Sequence, residues 1–400
     1  MREINKGRRR LVRALGGVLL APIFPATVFS AQKAIGINVG VVVPRSVHFP
    51  QLGADFLVGL RLGLGQTDGA PVNLVLSEHD GARPSLGVQQ LEVMAARDDL
   101  LMLIGIAEPD AAHGLHTILS KHERPLLVCD AGANIPRRPT DSPFLSCQSL
   151  GSWQSNLAAG SWAAGHLGRR AVQAVGWRES GYDLPYAFSH GFERAGGEVL
   201  ANHVSFLPGQ DHGFAGLAET VKKVRPDFVH ALYSGREASA FATFYRNAGL
   251  DSIAPLLGSG FLMEPGVRHS TKKPTLTAAS WAGEMAQCSP FSEACERAGQ
   301  KASPYAMLGY EAALRIRVAL RVARSGKALA QALASADVQG PRGKVVEDRS
   351  QAISGMTHWL RMGERERVVA TLSESASGQP LVAALQSEMK TGWAYPYLAA

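Results

Sequence analysis

What most restricts this 400-residue chain is a rhythm that sets in after Lys33. Continuous apolar runs of strand length alternate with segments whose apolar residues recur at helical spacing. "AIGINVGVVV" is rich in β-branched residues and stops at Pro44; "QLGADFLVGLRLGLGQ" follows, with Phe56, Leu57, Leu60 and Leu64 on one helical face. "PVNLVLSEHD" is the next strand and "LGVQQLEVMAARDD" the next helix, and "LLMLIGIA" and "RPLLVCDAG" are two further short apolar runs. Such runs suit strands buried on both faces, as in a parallel sheet with helices packed on either side.

The rhythm restarts after Ser149. "NLAAGSWAAGHLG" reads as helix, "AVQAVGW" as strand, "LPYAFSHGFERAGG" as helix and "EVLANHVSF" as strand. "FAGLAETVKKVRP", "DFVHALYS", "EASAFATFYRNAG" and "IAPLLGSG" continue the alternation. Two successive α/β units of similar build imply two lobes with a cleft between them. Ligands of open parallel sheets bind beyond the carboxyl ends of the strands. That rule singles out the loops "PRSVHFPQLG", "SEHDGARPS", "GIAEPDAAHG", "CDAGANIPRR", "WRESGYDLP", "YSGREAS" and "GSGFLMEPG".

The first residues have a different character. The uncharged run from Ala14 to Ala31 is shorter than the ~20 apolar residues a spanning helix needs, and Gly16, Gly17, Pro22 and Pro25 interrupt it. It is expected to be a cleaved leader, with cleavage after Ser30 or Ala31. Arg8-Arg9-Arg10-Leu11-Val12-Arg13 resembles a twin-arginine export signal, and an arginine-rich general secretory signal stays open as the alternative. Either route delivers the remaining chain to the periplasm.

Removing residues 1–31 takes away six basic side chains and Glu3, so the net charge of +7 falls by five to +2. A nearly neutral protein offers no clustered basic face for nucleic acid or an anionic membrane, and neither partner is expected. The 369 residues left (400 minus 31) are natural for two domains. Four cysteines are few for that length. Cys288 and Cys295 are close enough for a local bridge, and Cys129 and Cys147 either pair or stay buried thiols. No spacing matches a metal or haem site, and no cofactor is expected.

The order of segments resembles the Leu/Ile/Val-binding group of type I periplasmic binding proteins, the substrate-binding components of ABC importers. The matching stretches include "IGINVGVVVP", "SEHDGARPSLGVQQLEVM", "LIGIAEPDAAHGL", "RPLLVCDAGANIP", "ESGYDLPYAFSHGFERAGGEVL", "YAMLGYEAALRIRVAL" and "GPRGKVV". The resemblance implies an α/β fold of two Rossmann-like lobes with parallel sheets, joined by a hinge of several strands. Residues 32–149 plus 276–344 would form the first lobe, and 150–275 plus 345–400 the second. The aromatic-rich final stretch is expected to pack on the second lobe.

The same resemblance points to ligand-binding residues, and here the sequence departs from the family's pattern. Family members that take α-amino acids hold the carboxylate with hydroxyls and backbone N–H groups at a helix start, where this chain has Glu108-Pro109-Asp110. Acidic side chains there satisfy the helix themselves and would repel a ligand carboxylate. They either face the cleft or serve only as helix-start residues. In the "CDAGANIP" loop Ala131 and Ala133 are candidates, with a family threonine replaced. The acid expected to grip a ligand ammonium falls at Gly260, with Glu264 four residues on. Tyr182 matches the family's cleft tyrosine and Trp177 an aromatic position. Ser234 and Glu237 complete the candidate set.

An enzyme would need a reactive constellation. The sequence has no G-x-S-x-G elbow, no H-E-x-x-H and no P-loop. His113 and His116 stand three apart without a carboxylate partner and are read as surface residues. The expected function is therefore a monomeric solute-binding protein, not an enzyme. It would bind an amino acid, an amide or a related polar solute and dock on an ABC permease in the inner membrane. A ligand sensor of the same fold, acting on a signalling partner, is the alternative, and an enzyme comes third.

Overall fold

The apolar runs become strands. The computed structural model describes residues 36–65, 71–137, 142–205, 213–263, 275–345, 358–362, 367–372 and 396–399. The leader with its arginines and Glu264 lie outside the described residues. The first sheet holds β1 (Ile37–Arg45), β2 (Val72–Asp80), β3 (Met102–Ile106), β4 (Leu126–Asp130) and β5 (Leu145–Ser149). Their order is β2-β1-β3-β4-β5, and every pairing is parallel. β3 and β4 are buried at each position, which is why their sequences carry no alternation.

The second sheet begins with β6 (Arg170–Gly176), β7 (Glu198–Ser205), β8 (Phe228–Leu232), β9 (Leu256–Ser259) and β10 (Thr275–Ala279), again parallel. A short antiparallel ladder of β11 (Val338–Gly340) and β12 (Gly343–Val345) follows. β13 (His358–Met362) and β14 (Arg367–Leu372) then add an antiparallel edge, giving the order β14-β13-β10-β9-β8-β6-β7. The fold is thus the expected α/β pair of sheets, with an antiparallel edge that the sequence reading lacks.

Sequence and structure differ in two other places. The first lobe was expected to resume at Leu276, whereas Thr275–Ala279 pairs within the second sheet. The final aromatic stretch was expected on the second lobe; Tyr397 within it donates to Glu179, and Ala399 in addition reaches the first sheet, its carbonyl against the spot where a side chain on Gly81, just past β2, would begin.

Helix Leu52–Leu64 lies on the first sheet and packs along helix Pro304–Val322. A Cβ on Gly59 would run into the Ala306 carbonyl, and one on Gly309 into the Phe56 carbonyl. The two helix backbones therefore approach more closely than any side chain would allow. Ser303 starts the longer helix, its hydroxyl accepting from the Ala306 N–H at 3.1 Å, with Pro304 in the first turn.

The chain passes between the sheets after Ser149, near Ser280 and around Arg342. One buried ion pair ties these passages together. The Arg342 guanidinium donates to Glu311 Oε2 from Nε at 2.9 Å and from Nη2 at 2.6 Å. Its Nη1 donates to the Ser149 carbonyl at 2.7 Å and to Ser280 Oγ at 3.3 Å. All four cysteines are free thiols in the structure.

Candidate functional site

The strand orders fix where a ligand belongs. In the first sheet the chain goes from β1 out to β2 and returns to the other side at β3. In the second it goes from β6 out to β7 and returns at β8. Each sheet therefore has a switch point where neighbouring loops part and leave a crevice. The loops that leave β1, β6 and β8 carry His48, Glu179 and Ser234, and these three side chains meet.

Ser234 precedes helix Gly235–Asn247 in an extended conformation. Its hydroxyl donates to Glu179 Oε1, and His48 Nε2 lies 3.0 Å from the same hydroxyl oxygen. With the single serine proton given to Glu179, His48 must donate from Nε2 as the neutral imidazole. Burial, reinforced by the charges of Arg178 and Arg236, lowers the His48 pKa to about 4, so that form holds at neutral pH. Gly235 follows with φ +52, and a Cβ there would stand 2.7 Å from the His48 carbonyl. Only glycine lets the β8 loop close on the β1 loop this tightly.

Serine sits between histidine and glutamate in this relay. A nucleophile triad needs the histidine in the middle, taking the serine proton. The arrangement joins the loops of the two sheets. Burial, with the neighbouring Glu237 adding to it, pushes Glu179 up to about 7 against the hydrogen bond from Ser234. The two carboxylates converge over Gly176, where a Cβ would meet Glu179 Oε2 and lie 2.7 Å from Glu237 Oε2.

A second connection spans the same gap. The Asp183 N–H donates to the Ala133 carbonyl at 3.1 Å, and the Ile135 N–H donates to Asp183 Oδ2 at 2.8 Å. Glu108 accepts from Asn134 Nδ2 at 3.0 Å, while Asp110 Oδ2 accepts from the Arg137 N–H at 3.4 Å. Burial first, then Asp130 and Asp110, raises the Glu108 pKa well above the usual carboxylate range. Glu108 also lines a cavity of about 220 Å³ together with His79, Ser85, Ala107 and Pro396.

Tyr397 completes the crevice. Its hydroxyl donates to Glu179 Oε1 at 3.0 Å, and its ring meets Tyr182 edge-on at 5.0 Å and Phe261 at 5.2 Å. The Tyr305 hydroxyl donates to the Tyr397 carbonyl at 2.8 Å, and the Tyr182 hydroxyl to the Pro396 carbonyl at 3.4 Å.

Of the residues expected from sequence, Tyr182, Ser234 and Glu237 gather on the second-sheet side of this crevice, and Glu108, Asp110 and Ala133 on the first-sheet side. Ala131 spends its carbonyl on Ser152, accepting from that residue's N–H at 3.0 Å and its hydroxyl at 2.6 Å, so it anchors a helix start. The Gly260 carbonyl accepts from Arg361 Nη2 at 3.4 Å, and it is the neighbouring Phe261 that touches Tyr397. Trp177 is 38% exposed, with its carbonyl holding Ser180. Among the described residues no cluster of histidine, cysteine and carboxylate is suited to a metal.

Sequence reasoning did not single out His48, Glu179, Phe261, Tyr305 or Tyr397. Three of these stood in loops that the strand-end rule had selected: "PRSVHFPQLG", "WRESGYDLP" and "GSGFLMEPG". Tyr305 opens a helix and Tyr397 lies in the final stretch, and neither position carried such a signal.

Crevices at switch points are where open α/β sheets take their ligands. A family model described as periplasmic binding protein matches residues 36–363, and the chain belongs to that family. It is 24% identical over 228 residues to a Leu/Ile/Val-binding protein homologue of Brucella abortus, a match covering 56% of this chain and 57% of the relative. The matched region thus spans little more than half the length of that curated relative. Among solved structures, an ABC transporter substrate-binding protein from Sphaerobacter thermophilus aligns with a TM-score of 0.72 at 24% identity, over 84% of this chain and 97% of the other. A solute-binding protein of an ABC transporter from R. palustris, solved with benzoate, aligns at 0.71 and 21%, over 86% and 98%.

Proposed function

We propose that this chain is the extracytoplasmic solute-binding component of an ABC importer of the branched-chain amino acid or amide type. In this reading the two sheets are the cores of two lobes, 32–149 plus 280–344 and 150–279 plus 345–400, the boundary expected at 275/276 being moved so that Thr275–Ala279 stays in the second. A small solute enters the open crevice and is contacted from both sides. Closure follows because the solute binds the closed state better than the open one. The closed form then docks on a membrane permease, which a separate ATPase drives.

The observation that carries the reading is the relay from His48 through Ser234 to Glu179, which joins the two switch points across the gap. Such a contact is made only when the halves are together, so the same residues report closure. The leader at residues 1–31, of twin-arginine or general secretory type, would bring the chain to the periplasm as a monomer. A purified periplasmic protein beginning near Ala31 or Gln32 is the expected product.

The ligand chemistry departs from that of an α-amino acid binder. Glu108 and Asp110 stand where a ligand carboxylate would be received, and Glu179 and Glu237 crowd the opposite wall. Buried acids favour a solute that is neutral or rich in hydrogen-bond donors over a free anion. A thermal-shift screen against amino acids, amides, polyamines, phenols and aromatic acids tests this. A ligand at 100 times its dissociation constant adds about 2.7 kcal/mol. Amides, phenols or polyamines are expected to lead, and a largest shift from aliphatic amino acids would overturn the ligand reading.

A further inference from the structure

The segment Pro396–Ala399 forms a turn, closed by the Ala399 N–H donating to the Pro396 carbonyl at 3.0 Å, yet Tyr397 within it is as buried as the core. What holds it comes from loops and helix ends on both sides of the crevice. Glu179 and Tyr182 follow β6, Phe261 follows β9, Tyr305 opens helix Pro304–Val322, and Gly81 follows β2. That set is what a solute lodged between the halves would touch.

The contacts also specify a chemistry. At one end a phenol donates to a carboxylate. Around the ring stand aromatic edges and faces, suited to a flat ring. At the other end two tyrosine hydroxyls donate to two carbonyl oxygens. Beyond Pro396 lies the cavity of about 220 Å³ that Glu108 borders, so room continues past the ring.

We propose that the space filled by the Tyr397 ring is a subsite for a solute carrying a 4-hydroxyphenyl group and a carbonyl-type acceptor, and that Pro396–Ala399 occupies it as an internal stand-in which such a solute displaces. This rests on the solute-binding reading above and narrows it to a ligand class. The buried acids select the neutral phenol: burial and the Glu179 charge push the Tyr397 phenol well above its ordinary range. While the segment is in place the site is closed to solute, so apparent affinity falls by the fraction of molecules in which it is out.

The test uses the full chain and one ended after residue 395, titrated calorimetrically with 4-hydroxybenzamide, benzamide and isoleucine. The full chain also carries 3-fluorotyrosine at position 397 for fluorine NMR. The shortened chain is expected to bind 4-hydroxybenzamide at least about tenfold more tightly than the full chain. Benzamide, which has no donor for Glu179, should bind about tenfold more weakly than 4-hydroxybenzamide in both. Saturation of the full chain should move the fluorine resonance from its buried position to that of a solvent-exposed tyrosine. Should the shortened chain fail to fold, Tyr397→Phe weakens the stand-in by one hydrogen bond and should raise 4-hydroxybenzamide affinity several-fold. An unmoved resonance at saturation, or equal affinities in the full chain and its variants, overturns the proposal. Isoleucine binding while Tyr397 stays buried overturns it but spares the solute-binding reading. No binding of 4-hydroxybenzamide by the full chain, the shortened chain or Tyr397→Phe overturns the proposal and leaves the solute-binding reading to the thermal-shift screen.

Discussion

Two buried clusters of charge in this protein are built on opposite plans. Where the chain passes between the sheets, Glu311 meets the fork of Arg342, and the remaining guanidinium nitrogen goes to Ser149 and Ser280. In the crevice, acids lie beside acids. Glu108 has Asp130 and Asp110 for neighbours and Glu179 has Glu237, and among the described residues neither Glu108 nor Glu179 makes an ion pair. Paired charge fixes the passages, whereas crowded acid stores a preference for protons and hydrogen-bond donors. In the function proposed above, the first plan serves the hinge and the second serves recognition.

The sharpest way to break this contrast is at the pair. Arg342→Ala leaves Glu311 buried without its cation and is expected to cost about 3–5 kcal/mol in urea unfolding. Replacing both residues by apolar ones of similar size should restore much of that, because the desolvation of two ions is then avoided. A loss below 1 kcal/mol for Arg342→Ala would mean that the passages are held by packing alone.

The acid cluster behaves differently, and pH exposes it. Glu179 is raised to about 7 in the folded chain from an ordinary 4.5, so the folded state binds a proton that the unfolded state has lost. Its contribution is complete below pH 4.5 and disappears as pH rises through 7, at up to about 1.4 kcal/mol per unit. Glu179→Gln should remove that decline while abolishing the ligand-induced thermal shift. A variant that keeps the wild-type slope would detach Glu179 from the titration.

Gly235→Ala tests the closeness of the two loops. The substitution strains a backbone at φ +52 and thrusts a methyl toward the His48 carbonyl. A loss of about 1–3 kcal/mol is expected, together with a larger radius of gyration by small-angle scattering as the gap opens. An unchanged radius with full stability would show that the loops yield at little cost.

Much of the fold was legible, because strands buried on both faces must read as unbroken apolar runs; "LLMLIGIA" and "RPLLVCDAG" are β3 and β4 with their edges. β5 was not, since "LSCQS" mixes polar residues into a strand at the sheet's border. β14 escaped for a related reason: as an outer strand it is buried only at its last residue. At the crevice, sequence reasoning reached Ser234, Glu237 and Tyr182 in the selected loops but passed over His48 and Glu179 in the same set of loops. His48 and Glu179 acquire their roles from Ser234, which is 186 and 55 residues away along the chain. Tyr397 was out of reach of any rule about loops, because its place depends on a chain segment returning to the crevice from the far end of the sequence.

The smallest expected effect is at His48, where its sign carries the information. At pH 7 His48→Gln keeps an amide donor for Ser234 and should cost only about 1 kcal/mol. Below pH 6.5 the unfolded imidazole takes up a proton, while the folded one, lowered to about 4, does not. The unfolded state then holds more protons, and the His48 contribution to wild-type stability falls as pH is lowered, at up to about 1.4 kcal/mol per unit, a loss the glutamine variant escapes. The two stability curves should therefore cross near pH 6, about 0.7 units below the unfolded pKa, with the variant the more stable below it. Between pH 4.5 and 6.5 the histidine and glutamate slopes oppose each other in the wild type. Stability of Glu179→Gln should then rise with pH across that window while that of His48→Gln falls. Parallel curves for the two variants would mean that His48 and Glu179 do not share one buried relay, and that the crevice is not closed through Ser234.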